Sequence, residues 1–319
     1  MAEPKPSTST ISLIGLFAVW YAFNAGYNVY NSKLKGDLPL PLAISISQLL
    51  VGLLYALPLW ITGMRKAPNL TWKDLVRIFP VAALNAIGHA TTVVATFQKG
   101  GGSFTHVIKA SEPVVSTILA LFINGVVPPP LTGLSLLPIT YGVAYASTLG
   151  NLSPASMAKE LTTKAAAFAM TGNVCFALRS IVRKNLSSEF KARTNLTPAN
   201  DHAVTTIFSA LLLLPVLYFV EGPEVVKSAY ERISDKNAFL LNMFVCGMCF
   251  YIYNEVQNVV LGSLGAVPTA VGNTLKRVVI FVALFYFTDG ETFPYPKIFG
   301  CAVAVAGCLA FAVFNSKNM

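Results

Sequence analysis

The sequence predicts an all-α integral membrane protein with ten transmembrane helices, arranged as two inverted five-helix repeats. Three observations support this fold class. Hydrophobic residues make up 54% of the 319 residues, only 12% are charged, and the mean hydropathy is +0.61. Long apolar runs recur along the chain, whereas a β-barrel would show short alternating segments. Matching lysines in the fourth and ninth runs relate the two halves to each other.

Ten apolar segments are candidates for transmembrane helices. A soluble protein would carry about twice this fraction of charged residues. Short loops containing turn residues separate most of the segments, and the longest connection, 184–201, is polar and is expected to be a loop. The predicted segments are 11–30, 42–63, 74–98, 103–124, 131–149, 160–182, 203–220, 238–261, 267–287 and 297–315.

An internal repeat is indicated by VIKASEPVV (107–115) in the fourth segment and TLKRVVIFV (274–282) in the ninth. Each stretch carries a lysine at a matching position. Because each half contains an odd number of helices, the halves must insert with opposite topology, as in many secondary transporters. We therefore divide the chain into a first repeat, 1–152, and a second repeat, 153–319. A binding site is expected near the membrane midplane between them.

The net charge of +9 does not indicate nucleic-acid binding. Most lysines and arginines lie in short loops, where basic residues anchor and orient membrane proteins. A basic stripe with interleaved aromatic residues, typical of single-strand binding, is absent from the sequence. The expected surroundings are membrane lipid, with no nucleic-acid partner.

The five cysteines all lie in apolar segments. Cys246 and Cys249 form a CxxC, but no second pair or neighbouring histidine completes a metal site. We interpret the cysteines as small packing residues and expect neither a metal nor a cofactor.

Among the cations inside apolar segments, we single out Lys109, Lys276 and Arg277. Each costs about 2.5–3.5 kcal/mol at the bilayer centre, even on the lenient insertion scale. If they border one cavity, their three positive charges match a phosphate group, which a lysine binds as a point charge and an arginine through two hydrogen bonds. The alternative is internal pairing. Glu112, three residues after Lys109, could pair with it and would leave only Glu255 for the other two cations.

Polar side chains form stripes on two of the predicted helices. In lipid these groups would lack partners, so we expect them to face a water-filled interior, although they could also hold helices together. His89 and His106 are expected to be neutral hydrogen-bond donors to phosphate or substrate oxygen, because no close cluster of His and Glu suggests a metal. For His106 the alternative is a structural role at the start of the fourth helix. The stripes consist of Asn85, His89, Thr92 and Thr96 in the third segment and Tyr253, Asn254, Gln257 and Asn258 in the eighth.

At these positions the chain resembles the plastid phosphate translocators of the drug/metabolite transporter superfamily. The motifs are GHATT (88–92), SFTHVIKASEPV (103–114), YNE (253–255) and AVGNTLKRVV (270–279), and the similarity spans essentially the whole chain. The resemblance implies ten helices in two inverted halves. It also implies strict exchange of inorganic phosphate for phosphorylated three-, five- or six-carbon compounds.

The resemblance also implies roles for individual residues. The phosphoenolpyruvate branch tends to have Asn where His89 stands, so the chain looks more like the triose- or hexose-phosphate branches. The QKGGGSF stretch is one residue longer than usual, and Thr269 replaces a common histidine. Both departures leave phosphate binding intact and leave the substrate subclass open. The implied binding residues are Lys109, Lys276 and Arg277 for phosphate, His89 and Thr92 beside it, and Tyr253 at the end that reads the substrate.

The expected function is therefore an antiporter without catalytic residues or cofactor. It would exchange inorganic phosphate for triose phosphate or 3-phosphoglycerate, and also phosphoenolpyruvate, across a plastid envelope membrane by alternating access. A secondary or non-photosynthetic plastid is included in this expectation. The alternatives are a hexose- or pentose-phosphate translocator and a nucleotide-sugar transporter. A membrane enzyme acting on phosphorylated lipid is disfavoured, because no nucleophile–base–orienter set is visible.

Overall fold

A computed structural model describes residues 10–98, 101–125, 127–150, 152, 153, 155, 159, 163–264, 266–288 and 293–316. Within these ranges the regular secondary structure is entirely helical, which confirms the predicted all-α class. The helices are α1 Thr10–Asp37, α2 Pro41–Ile61, α3 Trp72–Phe97, α4 Gly101–Lys109, α5 Glu112–Asn124, α6 Pro130–Leu134, α7 Leu136–Ser147, α8 Lys164–Lys184, α9 Ser188–Arg193, α10 Pro198–Val220, α11 Pro223–Glu231, α12 Lys236–Leu264, α13 Ala266–Phe287 and α14 Tyr295–Ser316.

Several of these helices can cross a membrane. In the described part of the chain, α2, α3, α8, α10, α12 and α14 are long and apolar enough to do so. The helices α4 and α5 provide a seventh crossing if the bent pair is one span. The chain is therefore a multi-pass helical membrane protein, whereas the count of ten spans and the inverted repeat stay predictions.

The fourth predicted segment is broken between α4 and α5, which meet at an angle of 41°. Pro113 lacks a backbone N–H and its ring crowds the carbonyl four residues earlier, so it favours a helix break just before it. Asn173 of α8 stabilises the break, since its Nδ2 donates to the Ile108 carbonyl (3.1 Å) and to Ser111 Oγ (3.2 Å). As a result, Lys109 ends one helix and Glu112 begins another.

The connection 184–201 is more structured than the loop we expected. It contains α9, and α10 begins at Pro198 rather than near residue 203. Proline suits the first turn of a helix, and the Thr197 side chain accepts a hydrogen bond from the Asn200 backbone (3.3 Å). Phe190 and Leu196 are buried in a cluster with residues of α3. The prediction failed because polar residues at a helix start resemble those of a loop.

The helices with the most extensive packing form pairs in which each partner comes from a different predicted repeat. The most extensive pairs are α3 with α8, α7 with α14, and α1 with α12. The approach of α7 to α14 requires glycine. A Cβ on Gly142 would lie 2.5 Å from the Gly300 carbonyl oxygen, and a Cβ on Gly300 would lie 2.5 Å from the backbone N of Ala146. Small residues at such contacts let transmembrane helices pack closely.

The cysteines are free thiols that pack inside or between helices. Cys246 and Cys249 lie buried in the cluster formed around α1, α2 and α12, and Cys175 and Cys308 are buried elsewhere. Cys301 is half-buried. Their interpretation as packing residues is therefore consistent with the structure, and the CxxC does not form a disulfide.

Candidate functional site

A cavity lies between α1, α3, α4, α5, α8, α10, α12 and α13. Its empty space measures about 940 Å³, including its opening to solvent. Both polar stripes predicted from the sequence contribute to the wall, the first through all four of its members and the second through three. All six predicted binding residues also line this cavity: Lys109, Lys276, Arg277, His89, Thr92 and Tyr253.

The two lysines have similar surroundings. Lys109 Nζ donates a hydrogen bond to Thr92 Oγ1 (3.2 Å), and this hydroxyl donates to the Gly88 carbonyl (2.7 Å). Lys276 Nζ donates to Gln257 Oε1 (3.1 Å). Among the described residues, neither lysine forms an ion pair with a carboxylate. Their charges are therefore oriented by neutral partners and are not cancelled.

Aromatic rings support both lysines. Lys109 Nζ lies 4.6 Å from the centre of the Phe176 ring. Lys276 Nζ lies 5.3 Å from a Trp20 ring centre and 5.7 Å from that of Tyr253. A cation over an aromatic face is stabilised without loss of its charge. The cavity can therefore present positive charge to an anion.

Arg277 is the one predicted cation with a carboxylate partner among the described residues. Its Nη2 lies 3.1 Å from Glu112 Oε2, with the Arg277 side chain 7% exposed and that of Glu112 40% exposed. The alternative pairing of Lys109 with Glu112 is therefore wrong. The helix break before Glu112 separates it from Lys109, so the two residues are not successive turns of one helix.

Glu255 is also paired elsewhere than the sequence suggested. Its two carboxylate oxygens accept from both terminal nitrogens of Arg65, one of them at 3.0 Å. Burial lowers the pKa of Arg65, but the hydrogen bonds that Arg65 donates to Glu255 and the attraction of the negative charge together outweigh burial, so this pKa lies above its usual value. Glu255 is thus committed to Arg65 and does not neutralise Lys276 or Arg277.

Arg179 is a cation of the cavity wall that the sequence analysis did not select. It donates to Asn85 Oδ1, and its guanidinium lies 4.8 Å from the same Phe176 ring that supports Lys109. Its Nε has no hydrogen-bond partner among the described residues. The sequence could have indicated Arg179 by the argument used for Lys109. Arg179 is likewise a cation inside a predicted apolar segment, the sixth.

The two histidines of the first repeat make contacts within the protein. His89 Nε2 lies 3.2 Å from the Ser45 carbonyl, which can only accept, so this nitrogen carries the proton. We expected this donor to face the substrate, but it is used within the protein. The remaining Nδ1 of a neutral ring can only accept a hydrogen bond. His106 Nε2 lies 2.7 Å from Asn28 Oδ1. Asn24, Asn28 and Asn31 are separated by four and three residues and so share one face of α1. This pattern could have indicated that α1 contributes to the cavity wall.

Tyr253 belongs to an aromatic part of the wall. Its ring centre is 5.6 Å from that of Tyr27 and 5.8 Å from that of Phe250, and the Phe250 ring lies 4.3 Å from His89. The cavity thus combines a cationic region with aromatic rings and side-chain amides. Such a surface suits a small anion with a polar organic part.

Residues 11–312 match the model of a family described as the Triose-phosphate Transporter family. The chain belongs to this family. It is 33% identical to phosphoenolpyruvate/phosphate translocator 1, chloroplastic, of Oryza sativa subsp. japonica, over 95% of this chain and 72% of that protein. It is 31% identical to the chloroplastic triose phosphate/phosphate translocator of Spinacia oleracea, over 94% and 71% respectively. The counterpart from Brassica oleracea var. botrytis is 32% identical, over 95% and 71%.

A solved structure with low sequence identity also resembles this chain. A crystal structure of a protein with 13% sequence identity aligns with a TM-score of 0.55 over 97% of this chain and 99% of the other. That likeness shows a shared fold only.

The family membership confirms the resemblance drawn from the motifs. The chain is a transporter and not an enzyme. Its chloroplastic relatives and its candidate spans confirm the predicted location, a plastid envelope membrane crossed several times.

Proposed function

We propose that this transporter is an antiporter that exchanges inorganic phosphate for triose phosphate or 3-phosphoglycerate, with phosphoenolpyruvate as a further substrate. The observation that carries the proposal is the position of Lys109, Lys276 and Arg277. The three cations come from the two predicted repeats and line one cavity. Among the described residues, a single carboxylate pairs with one of them. The uncompensated positive charge of the cavity favours binding of an anion.

A phosphate group fits this surplus better than a monoanion does. With Arg179 the wall carries four positive groups, and Glu112 contributes one negative group. A phosphate monoester brings nearly two negative charges and oxygens that accept from both lysines and from the arginine fork. Charges of this kind inside a membrane protein mark substrate sites.

The organic part of the substrate would find partners elsewhere in the wall. Arg179, Asn254 and Tyr253 lie on the same cavity surface and carry polar donor groups. A carboxylate or hydroxyl group could use these donors. The relatives named above include translocators of triose phosphate and of phosphoenolpyruvate at similar identity. The resemblance at His89 favours the triose- or hexose-phosphate branches over the phosphoenolpyruvate branch.

Strict exchange follows from the energetics of an empty cavity. Closing the cavity without an anion would remove unpaired cations from water, at a cost of several kcal/mol per ion. Phosphate offsets most of this cost, and it shifts the equilibrium only by binding the closed form more strongly. Loaded carriers therefore cross, while empty carriers stay on one side.

Counter-exchange in proteoliposomes tests this proposal. Vesicles containing the purified chain are filled with phosphate, triose phosphate, 3-phosphoglycerate, phosphoenolpyruvate, glucose 6-phosphate or buffer alone, and uptake of labelled phosphate is measured. We expect rapid uptake with three-carbon phosphates inside and almost none with buffer. Equal uptake into empty vesicles would contradict exchange. Strong competition by nucleoside monophosphates would instead indicate a nucleotide-sugar transporter.

A further inference from the structure

The ion pair between Glu112 and Arg277 joins the proposed phosphate site to a carboxylate of the protein itself. The two residues lie on α5 and α13, which belong to different predicted repeats. Their side chains reach each other at the cavity wall. The carboxylate therefore occupies a guanidinium that the proposed function assigns to substrate.

We propose that Glu112 is an internal competitor of the substrate phosphate. In the empty carrier its carboxylate binds Arg277, and it must leave before phosphate can bind this guanidinium with two hydrogen bonds. This inference rests on the proposed function, since it requires phosphate to bind in the cavity. Glu112 would then set the affinity of the cavity for phosphate and the rate at which phosphate is released.

The geometry of the pair favours displacement of Glu112. A single hydrogen bond joins Arg277 Nη2 to Glu112 Oε2 in the structure, whereas a phosphate can engage the guanidinium through two parallel bonds. The Arg277 side chain is 7% exposed and that of Glu112 is 40% exposed. Glu112 can therefore turn towards water at low desolvation cost, while Arg277 stays in place.

The helix break allows this movement without disturbing the lysine. Glu112 is the first residue of α5, and Lys109 is the last residue of α4. Each of the residues of α5 is at least partly exposed, Glu112 included, so the Glu112 side chain has room to rotate. Asn173 fixes the break itself through Ile108 and Ser111. A rotation of the Glu112 side chain thus leaves the hydrogen bond from Lys109 to Thr92 intact.

Competition and positioning predict opposite effects of removing the carboxylate charge. If Glu112 competes with phosphate, its loss strengthens phosphate binding and slows release, because a negative charge beside the site is gone. If Glu112 only holds Arg277 in place, its loss weakens binding. The direction of the change in KM therefore distinguishes the two roles.

The test compares Glu112→Gln with the wild-type chain in phosphate–phosphate exchange and in equilibrium binding of labelled inorganic phosphate to the detergent-purified protein. We expect the KM and the Kd for phosphate to fall about tenfold, the order expected for one nearby, partly solvated charge. The maximal exchange rate should fall as well, because release becomes slower.

Two matched variants serve as controls. Glu231→Gln removes one negative charge from an exposed position on α11, away from the cavity, and should leave both constants unchanged. Glu112→Asp keeps the charge and should not lower the KM. If Glu112→Gln is not recovered folded, Glu112→Ala provides the same comparison.

A KM that rises or stays the same in Glu112→Gln would overturn the inference. Failure of the proposed function has a different signature, because the wild-type chain itself would then neither bind nor exchange phosphate. The two failures are therefore distinguishable in the same set of measurements.

Discussion

The fourth predicted segment, which forms α4 and α5, and the ninth, which forms α13, build the cavity in similar ways. Each carries a lysine that donates to a neutral side chain on the long helix before it. Lys109 uses Thr92 of α3, and Lys276 uses Gln257 of α12. Aromatic rings lie beside both lysines. The predicted repeat therefore has a chemical counterpart in the environment of the two cations.

The two segments differ in backbone and in charge. The backbone of α13 continues from Ala266 to Phe287, whereas the other segment breaks between Lys109 and Glu112. The residue after Lys276 is Arg277, while the broken segment supplies the carboxylate that pairs with it. Two segments with similar lysine environments thus carry unequal charges. One adds Arg277, the proposed phosphate ligand, and the other adds Glu112, its proposed competitor.

Helix packing supports the same comparison on a larger scale. The repeat relates the five predicted spans of the first half to the five of the second. The first and third spans, α1 and α3, then correspond to the sixth and eighth, α8 and α12. The extensive pairs α3–α8 and α1–α12 are then exchanged by the symmetry, and α7–α14 corresponds to itself. This agreement favours the inverted repeat, which stays a proposal.

The largest effect should follow from removing either lysine. Lys109→Ala and Lys276→Ala should each lower phosphate exchange at least about 100-fold, since each removes a charge-assisted bond to phosphate worth about 3 kcal/mol. Exchange in proteoliposomes measures the loss, and Lys33→Ala, at an exposed lysine of α1, is the matched control. Loss in one lysine variant but not in the other would mean that the two lysines are not equivalent.

A smaller effect should follow from removing the neutral partners. Thr92→Val and Gln257→Leu delete the acceptors of the two lysines, and each should raise the KM for phosphate about tenfold through poorer orientation of the cation. The KM and the maximal rate are measured in the same exchange assay. Similar increases would sharpen the correspondence between the segments. An effect confined to Thr92→Val would indicate that its side chain contacts substrate directly.

The smallest effect should come from an ion pair outside the cavity. Arg193 pairs with Asp74, but its side chain is 54% exposed, in contrast to the 7% of Arg277. Because Arg193 is largely solvated and neither partner lines the cavity, Arg193→Gln should change the exchange rate less than about twofold. The comparison is made with Arg277→Gln, which should lower exchange about as much as the loss of either lysine, since Arg277 faces the same proposed phosphate site. A loss of similar size in both variants would show that the surface pair takes part in transport.

The sequence predicted the helical segments and the cationic site because both depend on local composition. Apolar runs show where lipid is tolerated, and Lys109, Lys276 and Arg277 stand out within them. The partner of Glu112 could not be predicted, because it depends on a helix break and on a helix 165 residues away. Arg179 was within reach of the same argument. The start of α10 was missed, since Asp201 and its polar neighbours resemble a loop.

A structure determined with inorganic phosphate tests the central claim most directly. The account predicts density for one anion between Lys109 Nζ, Lys276 Nζ and the Arg277 guanidinium, at about 2.7–3.0 Å from each, with the Glu112 carboxylate turned away. Phosphate bound elsewhere, or a Glu112–Arg277 ion pair that stays intact at saturating phosphate, would contradict it.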